Sequence, residues 1–196
     1  MRTIRSPWLR AAATVFFETR RRYYNIRYFP RVRLEPGVTV RGTLGVHRGT
    51  RVVIGADSRL RKRVRITGGG RLTVGTNTLL NGCWIGASSE VTIGDWCLVS
   101  DCDISDTDYH NLDPERRHGE PDSRVTKPVR LGRNVWVGAH AQVLKGVSVG
   151  DDSVVGAGAV VRANVPPGVV VIGNPAVVVK QFDIRTRQAE AGRTAS

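Results

Sequence analysis

Cysteine is scarce in this 196-residue chain: only Cys83, Cys97 and Cys102 occur. Three is an odd number, and their spacing fits no metal-ligand set, which argues against a disulfide framework and a zinc-binding cysteine module. Two of them fall where the repeat described below wants small or inward residues, so buried free thiols in a reducing compartment are expected. Long hydrophobic runs are also missing. No stretch is long enough to span a bilayer. The short apolar run at residues 11–17 is followed closely by Arg20, Arg21 and Arg22, a poor match to a secretory signal. The expected location is cytoplasmic. Histidine is limited to His47, His110, His118 and His140. No two lie close in sequence, so no metal site is expected from them. Negative charge is in deficit, with 17 acidic against 30 basic residues and a net charge of +13. That balance suits an anionic partner, such as a phosphorylated cofactor, an acidic glycan, a membrane surface or nucleic acid, or simply marks a basic soluble protein. The charge reads as diffuse and no nucleic-acid module is recognisable, so nucleic acid is set aside.

What the chain does contain is a period. Over residues 131–161 an aliphatic side chain falls at every sixth position: Leu131, Val137, Val143, Val149, Val155 and Val161. Gly132, Gly138, Gly150 and Gly156 follow four of them. A helix repeats near 3.6 residues and a plain strand at 2, so neither explains this spacing. Six residues make one side of a triangular prism with one aliphatic pointing inward per side. Three sides give roughly 18 residues per coil, with coils stacked about 4.8 Å apart. Glycine after the aliphatic permits the tight corner. Earlier sets are less regular: Leu34, Val40, Val46 and Val52; Ile54, Leu60 and Ile66; Val74 and Leu80; Ile93 and Val99. The shifts between sets predict corners widened by one or two residues. The length suits one well-cored domain.

Three segments break the rhythm. Residues 1–30 carry Trp8, Leu9, Ala12, Val15, Phe16, Thr19, Tyr23 and Ile26 at helical spacing with arginines between them. Two readings stand: a helix capping the open end of the prism, or a basic amphipathic helix resting on an anionic membrane or a lipid-linked substrate. The cap is preferred, because solenoid ends need covering. Residues 183–196 are polar and aperiodic, as in a disordered tail. Between them, residues 31–182 form the prism. At about residues 105–130 it is interrupted by a polar loop containing "DTDYHN", and a loop leaving a rigid scaffold is a usual place for chemistry.

"VTIGDWCLVS", "LGRNVWVGAHAQVLKGVSVGDDSVVGAGAVV" and "VPPGVVVIGNPAVVVK" resemble the hexapeptide-repeat acyltransferases, particularly their sugar and xenobiotic O-acetyltransferase branch, over residues 34–180. The resemblance implies an all-β, left-handed parallel β-helix with an N-terminal helix and a protruding loop. It implies a homotrimer with active sites between subunits and acetyl-CoA, or another acyl-CoA, as co-substrate. It places a catalytic base at His110, which takes the proton of the acceptor hydroxyl. Asp106 or Asp108 could orient the ring, and spacing does not choose between them. Asn81 and Tyr109 are candidate acceptor contacts, and Trp136 a candidate groove wall. Gly138, Ala139, Ala157 and Lys180 match cofactor positions, with Lys180 near the nucleotide phosphates, and Arg162, which stands where relatives often have threonine, is a further cofactor candidate. Ala139 stands where many relatives carry serine, so oxyanion help there would have to come from its backbone N–H. His118 is expected to be exposed or substrate-facing, His140 to be a corner residue and His47 to be on the surface.

The implied activity is CoA-dependent O-acylation of a saccharide-type hydroxyl. Alternatives within the fold are N-acetylation of an amino-sugar nucleotide, a non-enzymatic scaffold, and a zinc-dependent hydratase.

Overall fold

The computed structural model describes residues 6–121 and 123–183. From Val32 the chain winds as a three-sided coil. Its strands form three sheets, with six strands on the first face, eight on the second and six on the third. The result is a left-handed parallel β-helix of about 7 turns with one N-terminal helix.

Strand pairing explains the uneven sequence rhythm. Where the six-residue repeat is strict, partners lie one 18-residue coil apart: Arg130 on Ser148, Trp136 on Val154, Gln142 on Val160. Earlier coils are longer, with Val32 on Val52 and Val52 on Leu72. One early set is therefore out of phase. Leu34 stacks on Ile54, whereas Val52 takes the first inward slot of the same strand, beneath Val32. The wide corner between Val46 and Arg51 absorbs the difference, and Val46 itself is only half-buried.

The corners are columns of left-handed backbone. Between the first and second faces, Asp57, Asn77, Trp96, Asn134 and Asp152 all have φ near +60°. Lys62, Gly82, Asp101, His140 and Gly158 do the same between the second and third faces. Side chains with a Cβ are strained there, so Gly, Asn and Asp recur. Most of these corner residues donate their N–H to the coil before, as Asn77 does to Ala56 O, Trp96 to Thr76 O and Asn134 to Asp95 O.

Inside the second face, Val40, Leu60, Leu80, Val99, Val137 and Val155 are fully buried. Two residues before most of them sits a small group that bridges coils. Ser58 Oγ donates to Gly75 O and accepts from Thr78 N–H. Thr78 Oγ1 donates to Gly94 O and accepts from Cys97 N–H. Ser153 repeats the pattern with Pro166 O and Val169 N–H. This ladder satisfies buried backbone groups that the bend would otherwise orphan.

All three cysteines are buried free thiols. Burial pushes the Cys83 thiol up to about 12 and that of Cys97 to about 11. Cys102 is raised by burial and by the neighbouring Cys83.

The helix, Pro7–Arg27, starts with proline in its first turn, where a missing N–H costs nothing. It lies along the open edge of the first coil. Asn25 accepts from Leu34 N–H and donates to Leu34 O. Tyr24 accepts from Leu44 N–H, Tyr28 donates to Leu44 O and Arg20 donates to Gly42 O. These bonds occupy strand-edge groups that would otherwise template association. At the far end, Val177–Gln181 pairs antiparallel with Val169–Ile172. Residues 184–196, nearly all of the expected tail, lie outside the described residues. Among the described residues, no helix is long and apolar enough to cross a membrane.

Candidate active site

The loop leaves the third face after Asp103–Ser105 and returns at Val129–Leu131. Its neck is a short antiparallel ladder: Thr107 bridges Thr126, and Asp108 N–H donates to Val125 O. Lys127 then fills the corner, donating to Asp106 O and accepting from Gly146 N–H. The prism therefore continues beneath the excursion, with Ile93 directly on Leu131.

Asp106 is fully buried. Its carboxylate accepts Ser88 N–H at 2.8 Å and Ser89 N–H at 2.7 Å, which ties the loop base to the corner of the preceding coil. Asp108 forms an ion pair with Lys145, whose Nζ also donates to Arg124 O at 2.9 Å. Both candidate orienting carboxylates thus have other partners, and among the described residues none holds the His110 ring, which is exposed. Tyr109 has φ +67°, and its ring centroid lies 6.0 Å from that of Trp84. Its hydroxyl crosses Gly86 so closely that a Cβ there would meet it at 2.2 Å. Asn111 is buried and donates to Arg116 O and Glu120 O, folding the loop back on itself. A cavity of about 220 Å³ opens between loop and prism, lined by Asp108, Asn111, Leu112, Arg116, Arg124 and Lys145 among others.

The remaining candidates sit elsewhere. Asn81 is at the corner between the second and third faces, where its amide reaches Asp101 at 3.5 Å. Asp101 is held by Lys62. Further along the same corner are Gly138, Ala139, Ala157 and Gly158. Gly158 N–H donates to Ala139 O, and a Cβ on Gly138 would come within 2.9 Å of Ala157 N. Ala157 and Gly158 are exposed there, Ala139 is half-buried, Gly138 is buried, and the exposed His140 stands beside them. Trp136 points outward from the second face and is half exposed. Register aligns it with Leu79, Leu98 and Val154. Arg162 is exposed just past Val160–Val161. Lys180 is in the closing strand, its Nζ 5.4 Å from the Phe182 ring centroid.

One edge of the third face therefore gathers Asp106, Asp108, Tyr109 and His110, and the opposite edge gathers Asn81, Gly138, Ala139 and Ala157. About 15 Å of strand separates the two edges within one chain. His140 is a corner residue with φ +60°. His118 is exposed on the loop, and His47 bonds Gly68 O through Nδ1. Lys145, Trp84 and Asn111 were not singled out from the sequence. Lys145 and Trp84 act across coils, so no local spacing signals their contacts. Among the described residues, no group of three His, Cys, Asp or Glu is placed to hold a metal.

The fold of the chain is that of a six-residue-repeat coil, and its residues 128–163 match the bacterial transferase hexapeptide (six repeats) model. Among individual proteins, it is 37% identical over 98 residues to galactoside O-acetyltransferase of Escherichia coli K12, covering 50% of this chain and 47% of that one. It spans about half or less of the length of the curated relatives it matches. In structure it resembles AntD, an N-acyltransferase from Bacillus cereus crystallised with dTDP and 3-hydroxybutyryl-CoA. That match has TM-score 0.68 at 14% identity and covers 89% of this chain and 95% of AntD. It also resembles a hexapeptide-repeat acetyltransferase, VCA0836, from Vibrio cholerae, with TM-score 0.57 at 23% identity over 84% of this chain and 80% of that one. At these identities the two structural likenesses speak to the fold.

Proposed function

We propose that this protein is a CoA-dependent O-acyltransferase that moves an acetyl group from acetyl-CoA to a hydroxyl of a saccharide. The observation that carries the reading is the inserted loop, tied down at Asp106 and Asp108 so that His110 stands exposed just beyond both tethers. The similarity to galactoside O-acetyltransferase supports a hydroxyl acceptor.

The thioester is already activated, so the chain has three tasks: deprotonate the acceptor, stabilise the tetrahedral oxyanion and hold the two substrates together. His110 takes the hydroxyl proton as that oxygen attacks the thioester carbonyl. The intermediate collapses with cleavage of the carbon–sulfur bond, and the imidazolium returns its proton to the departing thiolate. The pantetheine arm lies along the corner at Gly138, Ala139 and Ala157, with Arg162 and Lys180 toward its phosphates. Trp136 walls the groove, and Asn81 and Tyr109 contact the acceptor. Because His110 and that corner occupy opposite edges of the third face, the working site combines the loop of one chain with the corner of a neighbour in a homotrimer.

Thiol release from acetyl-CoA in the presence of a panel of glycans and simple sugars tests the reading. His110→Ala is expected to lower kcat by about 10² to 10⁴ with little change in acceptor KM. Unchanged turnover would remove His110 from the mechanism. Paired hydroxyl and amino sugars decide between O- and N-transfer.

A further inference from the structure

The N-terminal helix has two apolar faces, and capping the prism uses only one. Phe17, Tyr24 and Tyr28 turn inward. On the opposite side Trp8, Val15 and Ile26 fall within about 20° of one another around the helix axis. They are 70%, 66% and 77% exposed. Phe16 and Tyr23 widen this stripe, and Phe29 continues it past the last turn at 80% exposure.

Charge gathers at the same end of the molecule. Residues 1–80 contain 18 basic and 3 acidic side chains, whereas residues 81–196 contain 12 basic and 14 acidic. The positive charge that reads as diffuse is in fact confined to the helix and the coils beside it. Arg51, Arg59, Arg63, Arg65 and Arg71 are exposed on those coils, all within about 15 Å of the capped end at 4.8 Å per coil. Arg51 and Arg71 are direct partners on adjacent strands. Like charges in that position repel, and a polyanionic surface relieves the repulsion.

We propose that this end of the protein docks on an anionic phospholipid bilayer, with the helix lying in the interface. Trp8, Val15, Phe16, Tyr23 and Ile26 enter the acyl boundary while the arginines of the first coils meet lipid phosphates. Nucleic acid would satisfy the arginines and leave the aliphatic and aromatic stripe in water. A second copy docked end to end would bring two strongly positive ends together. A bilayer satisfies both features.

Co-sedimentation of the full chain with phosphatidylcholine vesicles, with and without phosphatidylglycerol, tests this. Binding is expected only with phosphatidylglycerol and falls as salt rises. The variant Trp8→Ser/Val15→Ser/Ile26→Ser should lose at least tenfold in partition. The variant Arg63→Glu/Arg65→Glu should lose about fivefold or more per arginine. All five side chains face solvent, so both variants should keep the wild-type thermal midpoint and circular dichroism. As a second readout, brominated phosphatidylglycerol should quench wild-type tryptophan fluorescence more than that of Trp8→Phe. Four outcomes overturn the proposal: equal binding to neutral vesicles, undiminished binding of the helix variant, tighter binding to duplex DNA than to vesicles, or a smaller sedimenting particle for the helix variant without lipid.

Discussion

At the scale of single residues, Asp106 shows how the site is built. Its carboxylate takes two backbone N–H groups while fully buried, so it anchors the loop. Asp106→Asn presents an amide N–H₂ where one donor must be accepted. Urea unfolding should show a loss of about 2–3 kcal/mol, with faster proteolysis in the loop. "DTDYHN" marked this segment as chemical, but spacing alone could not distinguish an anchor from a ring-orienting acid. That distinction depends on Ser88 and Ser89, one coil away.

The thiols act at the same scale. Cys83 and Cys97 titrate near 12 and 11 in the fold against 9.0 for a free thiol. Their pKa values are raised, so the unfolded chain releases these protons first as pH climbs. Their stabilising contribution is therefore complete below about pH 9 and lost as pH rises through about 11 for Cys97 and about 12 for Cys83. The thermal midpoint should fall across that window, less steeply in Cys83→Ala. A thiol reagent should label none of the three cysteines in the native protein at neutral pH and all three after denaturation.

Among structural elements, the coils show why some of the fold could be read and some could not. Over residues 131–161 the corners are uniform, so the inward positions declare themselves. Earlier coils spend one or two extra residues in their corners, and a six-residue step from Val46 to Val52 then lands on the wrong inward slot. The hydroxyl ladder was hidden for another reason: Ser58 and Thr78 lie one coil apart and Ser153 three coils further on, so they look unrelated along the chain. Thr78→Val removes the acceptor for Cys97 N–H and the donor to Gly94 O while keeping the side-chain shape. Denaturant unfolding should show a cost of about 1–3 kcal/mol. A loss within error would mean that the ladder contributes nothing.

For the molecule as a whole, the decisive feature is the separation between His110 and the corner at Gly138, Ala139 and Ala157. Both parts were expected from the sequence. That they occupy opposite edges of one face was not, because the order of residues along the chain does not show which corners face each other. If neighbouring copies complete the site, two defective variants should rescue one another. His110→Ala lacks the proposed base, and Ala157→Trp should block the corner. Each alone should be nearly inactive, and co-refolded mixtures should regain a substantial fraction of wild-type turnover through mixed trimers. No recovery would place the whole site within one chain. The uneven charge was countable from the start, but it acquired a location only once the helix and first coils were stacked at one end.

Lys127 closes the corner under the loop, bonded to Asp106 on one side and Gly146 on the other. The scaffold is thus already zipped shut where the excursion begins and ends. Everything between Thr107 and Thr126 hangs from a sealed seam, like a tool on a fixed handle. Such a segment can change length and chemistry over evolutionary time without unwinding what it is mounted on, which in the proposed reaction would give acceptor choice a route to diverge while the coil stays the same.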